Sequence, residues 1–193
     1  VMDALERALR GAKVPTRYTE GFNPHIRVSM GPALSLGHEG LSEVFDVDCT
    51  APVRQAHVAA INHMLPDGME VLEEHDLVQG APSLGKIVAA ARYRIAPSKG
   101  DPWTGTPHHL QDEKRAGVTA WERQPDGQLR VELNQRQNDQ PVVSVNALLA
   151  ALGLDEDRIC IIRTTRERLV LRPKRKLDKS AENTTPNPAG GSK

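Results

Sequence analysis

Apolar residues recur along this chain at two periods, and those periods predict its elements. Met2, Leu5, Leu9 and Ala12 stand at helical spacing while Asp3, Glu6, Arg7 and Arg10 fall elsewhere, so the chain starts inside an amphipathic helix. Gly11 and Pro15 supply its stop signals. A helix at the first residue lacks the strand that would lead into it, which points to a fragment or an N-terminally truncated chain. After Gly21 and the Asn23-Pro24 turn signal the period drops to two: Ile26, Val28 and Met30 point one way, His25, Arg27 and Ser29 the other. Glycines and a proline over residues 31–40 precede a second strand over 42–49, with Phe45, Val47 and Cys49 on one face and Val44, Asp46 and Asp48 on the other. Thr50 is placed to cap a helix with Pro52 in its first turn and Val53, Ala56, Ala60, Ile61 and Met64 along one side. The turn Pro66-Asp67-Gly68 closes that helix, and a further strand is expected over 69–78.

Counting the inferred opening strand, the order is β-α-β-β-α-β, the ferredoxin-like arrangement. The second half repeats the plan more loosely. Ile87, Ala89, Ala91, Tyr93 and Ile95 alternate against Arg92 and Arg94. Residues 97–126 mix proline, glycine and charge, and the pattern there predicts only a short helix over 110–121. A strand over 128–133 follows the Pro125-Asp126-Gly127 turn. Ser144 caps a helix carrying Val145, Leu148, Leu149 and Leu152, stopped by Gly153. A last strand covers 158–165, with 166–171 returning beside it. The expected fold class is therefore α+β, with two ferredoxin-like (βαββαβ) halves: 1–80, lacking its opening strand, and 81–172, degraded. Each sheet is expected to be covered by helices on one face. From Pro173 onward the chain turns basic and then poor in apolar residues, so 173–193 is expected to be a disordered tail.

Composition excludes several functions. Lys and Arg number 25 and so do Asp and Glu, so any pull on nucleic acid must be local. No apolar run approaches the roughly 18 residues that cross a bilayer, and the start lacks a signal peptide's apolar core, so the expected compartment is the cytoplasm with no membrane partner. Cys49 and Cys160 stand alone in apolar runs, which is the setting of small buried side chains and not of a zinc or iron–sulfur framework. His57, His63, His75, His108 and His109 lack the carboxylate companions of a metal site. No metal and no cofactor is therefore assigned to this chain.

Candidate chemistry gathers in YTEGFNPHIRVSMGPALSLG, residues 18–37. Alternation lines up His25, Arg27 and Ser29 on the face the core does not use, and Tyr18, Glu20, Phe22 and Asn23 lie in the loop that feeds it. An aromatic beside a histidine and an arginine can stack on a base and hold a phosphate. The plainer account, which residue types alone favour, has Phe22 stapling the loop and Arg27 pairing with Asp46 or Asp48. A second basic feature spans 158–179, where nine Lys and Arg face two acids; Arg163, Arg166, Arg168, Arg172, Lys174, Arg175 and Lys176 are its candidates for phosphate contacts. Such runs are more often solvated.

The run ALERALRGAKVPTRYTEGFNPHIRVSMGPALSLG resembles the N-terminal signature of the radical-SAM-associated bacterial domain of unknown function. The similarity continues through EVFDVDCTAPV, LPDGMEV and APSLGKIVAAARYRI, is diffuse over 98–140, and returns at SVNALLAALGL and DRICIIRTT. The resemblance implies a working link with a radical SAM protein. With no CxxxCxxC motif, this chain would not bind that enzyme's cluster by itself. Three functions are carried forward. The first is a non-catalytic accessory module that presents RNA or a ribonucleoprotein to the radical SAM partner. The second is an enzyme using His25 and Glu20 in acid–base chemistry on a nucleotide or small substrate. The third is a scaffold that docks on the partner protein alone.

Overall fold

The computed structural model describes residues 1–77, 80–96, 103–135, 141–155, 157, 159 and 162–172. Helix α1 (Met2–Gly11) buries Leu5, Ala8 and Leu9 and leaves its charges outside, as the spacing predicts. Ala12 continues that apolar face, and Lys13, at φ +54°, turns the chain out of the helix. Strands β1 (Val28–Met30) and β3 (Phe45–Val47) pair antiparallel, with Ser29 opposite Asp46. Isolated bridges from Thr16 to Cys49 and from Tyr18 to Ile26 extend the ladder at one end. Helix α2 (Gln55–Met64) packs against α1, and the two helices with Ile26 and Val14 form one apolar cluster over the pair of strands.

Three features of this half differ from expectation. Thr50 does not cap α2: its hydroxyl donates to the Pro15 carbonyl, and Arg54 precedes the helix, with its N–H donating to the His57 ring. The strand expected over 42–49 is shorter, and Val44, just before it, packs against the apolar cluster of the second half. Residues 69–77 form no strand. There the Asn62 side chain engages both peptide groups of Val71, accepting from its N–H at 2.8 Å and donating to its carbonyl at 3.0 Å. One side chain thus satisfies groups that a strand partner would otherwise pair.

A second cluster is built on five strands in the order β2-β7-β4-β6-β5. After the turn α3 (Leu84–Ile87), strand β4 (Val88–Ala96) faces Ala91, Tyr93 and Ile95 inward. A 3-10 turn (Pro107–His109) and α4 (Asp112–Arg115) follow, then β5 (Val118–Arg123), β6 (Leu129–Asn134), α5 (Val145–Ala151) and β7 (Arg163–Leu171). The pairs β4–β6, β4–β7 and β5–β6 are antiparallel, while the short β2 (Glu39–Gly40) runs parallel to β7 and joins the halves. Ser144 caps α5 by accepting from the Ala147 N–H at 3.1 Å, and Leu148 and Leu149 are fully buried under it. The whole is a mixed α+β fold.

The predicted helix over 110–121 is replaced by the short α4 and by β5, which includes Trp121. Gly117 separates them where a Cβ would lie 2.6 Å from Val143 Cγ2 and 2.7 Å from the Pro141 carbonyl, so only glycine permits this close approach. The predicted pair of strands after residue 158 is one strand, β7. Its register shifts between the Arg92–Arg168 and Tyr93–Arg166 pairs, leaving Glu167 as an extra residue. A bulge, and not a reversal, absorbs the irregularity. Residues 173–193 lie outside the described residues, as do Lys174, Arg175, Lys176 and Cys160.

Candidate nucleic-acid interface

The face of β1 and β3 turned away from the helices is built by backbone alternation. Ile26 is buried, Val28 and Met30 are half-buried against the helices, and His25, Arg27 and Ser29 are exposed on the other side. Gly21, at φ +123°, makes the turn that feeds this face, a conformation that favours glycine. The Thr19 hydroxyl accepts from the His25 N–H at 3.0 Å, and the Thr19 N–H donates to the His25 carbonyl at 2.8 Å, closing the loop around residues 20–24. Phe22 sits at its tip with its side chain fully in solvent, beside the exposed Glu20 and Asn23. It does not staple the loop to the core. The aromatic that meets α1 is Tyr18, half-exposed, with the Arg10 guanidinium 5.7 Å from its ring centre.

Charges on this surface are partly paired. Arg27 meets Asp48 at 3.2 Å, with both side chains about half exposed. Arg17 donates to the Cys49 carbonyl at 3.3 Å. Glu6 bridges Arg10 at 3.4 Å and the His25 Nδ1 at 3.9 Å. Glu20 makes no hydrogen bond or ion pair with any described residue, so the carboxylate brought to His25 is Glu6. The sequence signal for it was the Glu6–Arg10 spacing of one helical turn. Arg27 thus stands with Asp48 on the face turned away from the helices, Tyr18 and Arg10 meet on the α1 side, and His25 reaches Glu6 at the edge between the two. Such an arrangement can stack a base and neutralise phosphate, and its weak, solvent-screened pairs can be exchanged for a ligand at little cost.

Beside Ser29, burial and then the neighbouring Asp48 push the Asp46 carboxyl above its usual pKa of 3.8. Between 3.8 and the raised value the folded chain binds more protons than the unfolded one, so stability falls as pH rises through that window. Asp46→Asn should therefore melt higher than wild type at pH 7, with the gap closing below pH 4; melting curves at the two pH values check it. Burial, followed by Asp48 and Asp76, likewise raises the Cys49 thiol, which stays protonated and poorly nucleophilic at pH 7. Among the described residues no group of three or more His, Cys, Asp or Glu is placed to hold a metal ion. No described helix is long and apolar enough to cross a membrane.

The structure separates the basic candidates of β7. Arg163 pairs with Glu39 at 3.1 Å on the surface, and Arg172 is exposed, its N–H donating to the Ile87 carbonyl. Arg166, only 1 % exposed, is bound to both Glu43 oxygens and to the Pro32 and Ala33 carbonyls. Burial opposes its charge, but the hydrogen bond and charge of Glu43, with Tyr93 adding, raise its pKa above the ordinary value. Arg166 is a clasp that ties the 32–43 segment to the second sheet, and its burial keeps it from meeting a phosphate on the surface. Arg168 points to the opposite face and is exposed.

The family described as "Uncharacterized protein conserved in bacteria (DUF2344)" matches residues 1–174. No curated protein matches the chain. No solved structure matches it either.

Proposed function

The chain belongs to this bacterial family of uncharacterized proteins, and on that premise we propose that it is a non-catalytic cytoplasmic binding module that presents RNA, or a ribonucleoprotein, to a radical SAM partner. The observation that carries the proposal is the exposed row His25, Arg27 and Ser29, fed by a loop that holds a fully exposed Phe22 at its tip. An apolar ring held wholly in water by a turn that no core contact requires is well placed to stack on an unpaired base. The radical SAM link rests on the resemblance of the residue 4–37 motif. The antiparallel order β7-β4-β6-β5, threaded β-α-β-β-α-β, supports the ferredoxin-like description of the second half.

Acid–base catalysis is the weaker reading of the same residues. His25 and Glu6 are 3.9 Å apart on an open surface, and general acid–base chemistry draws its force from groups aimed at a substrate in an enclosed site.

Phe22→Ala should weaken binding of mixed cellular RNA by about 5- to 150-fold, the equivalent of one stacked base. Its melting temperature should match wild type, because the ring touches no core. Equal affinity for variant and wild type, measured across a salt series, would reject the proposal. Nuclease treatment of the co-purified partner complex separates RNA bridging, in which the complex falls apart, from docking on the protein alone, in which it survives.

A further inference from the structure

The face of the larger sheet opposite α5 carries four arginines on three adjacent strands. Arg94 lies directly across from Arg130 on β4 and β6, and Arg92 directly across from Arg168 on β4 and β7. Like charges in directly opposed positions repel and destabilise a ladder unless an anion lies between them. The anions supplied by the chain are too few. Glu132 meets Arg92 at 2.9 Å, while the single carboxylate of Glu167 serves both Arg94 at 3.7 Å and Arg130 at 3.6 Å. Glu122 stands opposite Arg130 without forming an ion pair with it, and Arg168 has no ion pair or side-chain hydrogen bond with a described residue. The bulge is responsible for the density of charge: the extra residue puts Glu167 and Arg168 on this face together, and turns Arg166 to the other.

We infer that this sheet face is a second binding surface, one that takes the phosphodiester backbone of nucleic acid without reading its sequence. Strand spacing sets the guanidinium-bearing positions about 5 Å apart across the sheet and about 7 Å apart along β4, so several phosphates of one strand can be met at once. Guanidinium forks match phosphate oxygens bidentately, which favours phosphate over a point-charge partner. The other residues here, among them Thr119, Ala120, Ala90 and the half-buried Val170 and buried Asn134 paired with Ala90, offer no aromatic platform for bases. This surface is independent of the β1–β3 face and stands whether or not that face binds RNA.

The test titrates the full 193-residue chain with a labelled oligouridylate over 50–200 mM salt. Removing one phosphate-binding cation lowers the salt slope by about 0.7, so Arg94→Gln/Arg130→Gln should lower it by about 1.4, and Arg168→Gln by about 0.7. The same decrements should appear in an Arg27→Ala background, which separates this surface from the first. Arg168 is exposed and unpaired with described side chains, so its variant decides the matter if the double variant fails to fold. Unchanged slopes in the folded variants would overturn the inference. So would polyglutamate displacing the oligomer at equal charge concentration, which would mark the face as one for acidic protein segments.

Discussion

Glu43→Ala should lower the melting temperature by roughly 6–12 °C, corresponding to about 3 kcal/mol at 2–4 °C per kcal/mol for a chain of this size. The Arg166 guanidinium it neutralises is 1 % exposed, while the Glu43 side chain remains 32 % exposed, so the expected cost sits at the low end for a broken buried pair. The destabilisation comes from stranding a buried cation, and not from the attraction itself. Arg166→Met combined with Glu43→Ala should therefore recover part of the stability that Glu43→Ala alone removes. Thermal unfolding of the two variants checks both statements. A cost of less than about 1 kcal/mol, the value of a surface pair, would mean that the clasp does not hold the segment.

Leu148→Ala is expected to cost about 2–5 kcal/mol, by removing transfer energy and leaving a cavity beneath α5. Leu148 is fully buried among Leu149, Leu133, Val131 and the inward residues of β4, on helix and sheet surfaces that cannot readily collapse toward one another. Chemical denaturation should show a lower midpoint with an unchanged slope. RNA binding by the exposed β1–β3 residues should persist wherever the variant is folded, because that surface lies over the other apolar cluster.

What the residues determined unaided were the elements and faces set by local geometry. Helical spacing marked the buried side of α1, Ser144 and Gly153 bounded α5, and two-residue alternation put Ile26 inward with His25 and Arg27 outward. These follow from backbone periods that any stretch of chain carries with it. The exposed candidate row was legible for the same reason. Only tertiary structure decided which groups meet. Residues 118–123 became a strand by pairing with β6, with Gly117 passing close to Val143 and Pro141 just before it, while residues 69–77 pair with no strand and Asn62 holds the peptide groups of Val71. Glu6 reached His25, in place of Glu20, through the packing of α1 over the strands. Arg166 and Arg168, two residues apart and alike in sequence, were sent to opposite faces by one extra residue in β7, so that one became a buried clasp and the other an exposed cation. A bulge is defined by pairing with a neighbouring strand, and that pairing is a property of the closed sheet, not of the segment that carries it.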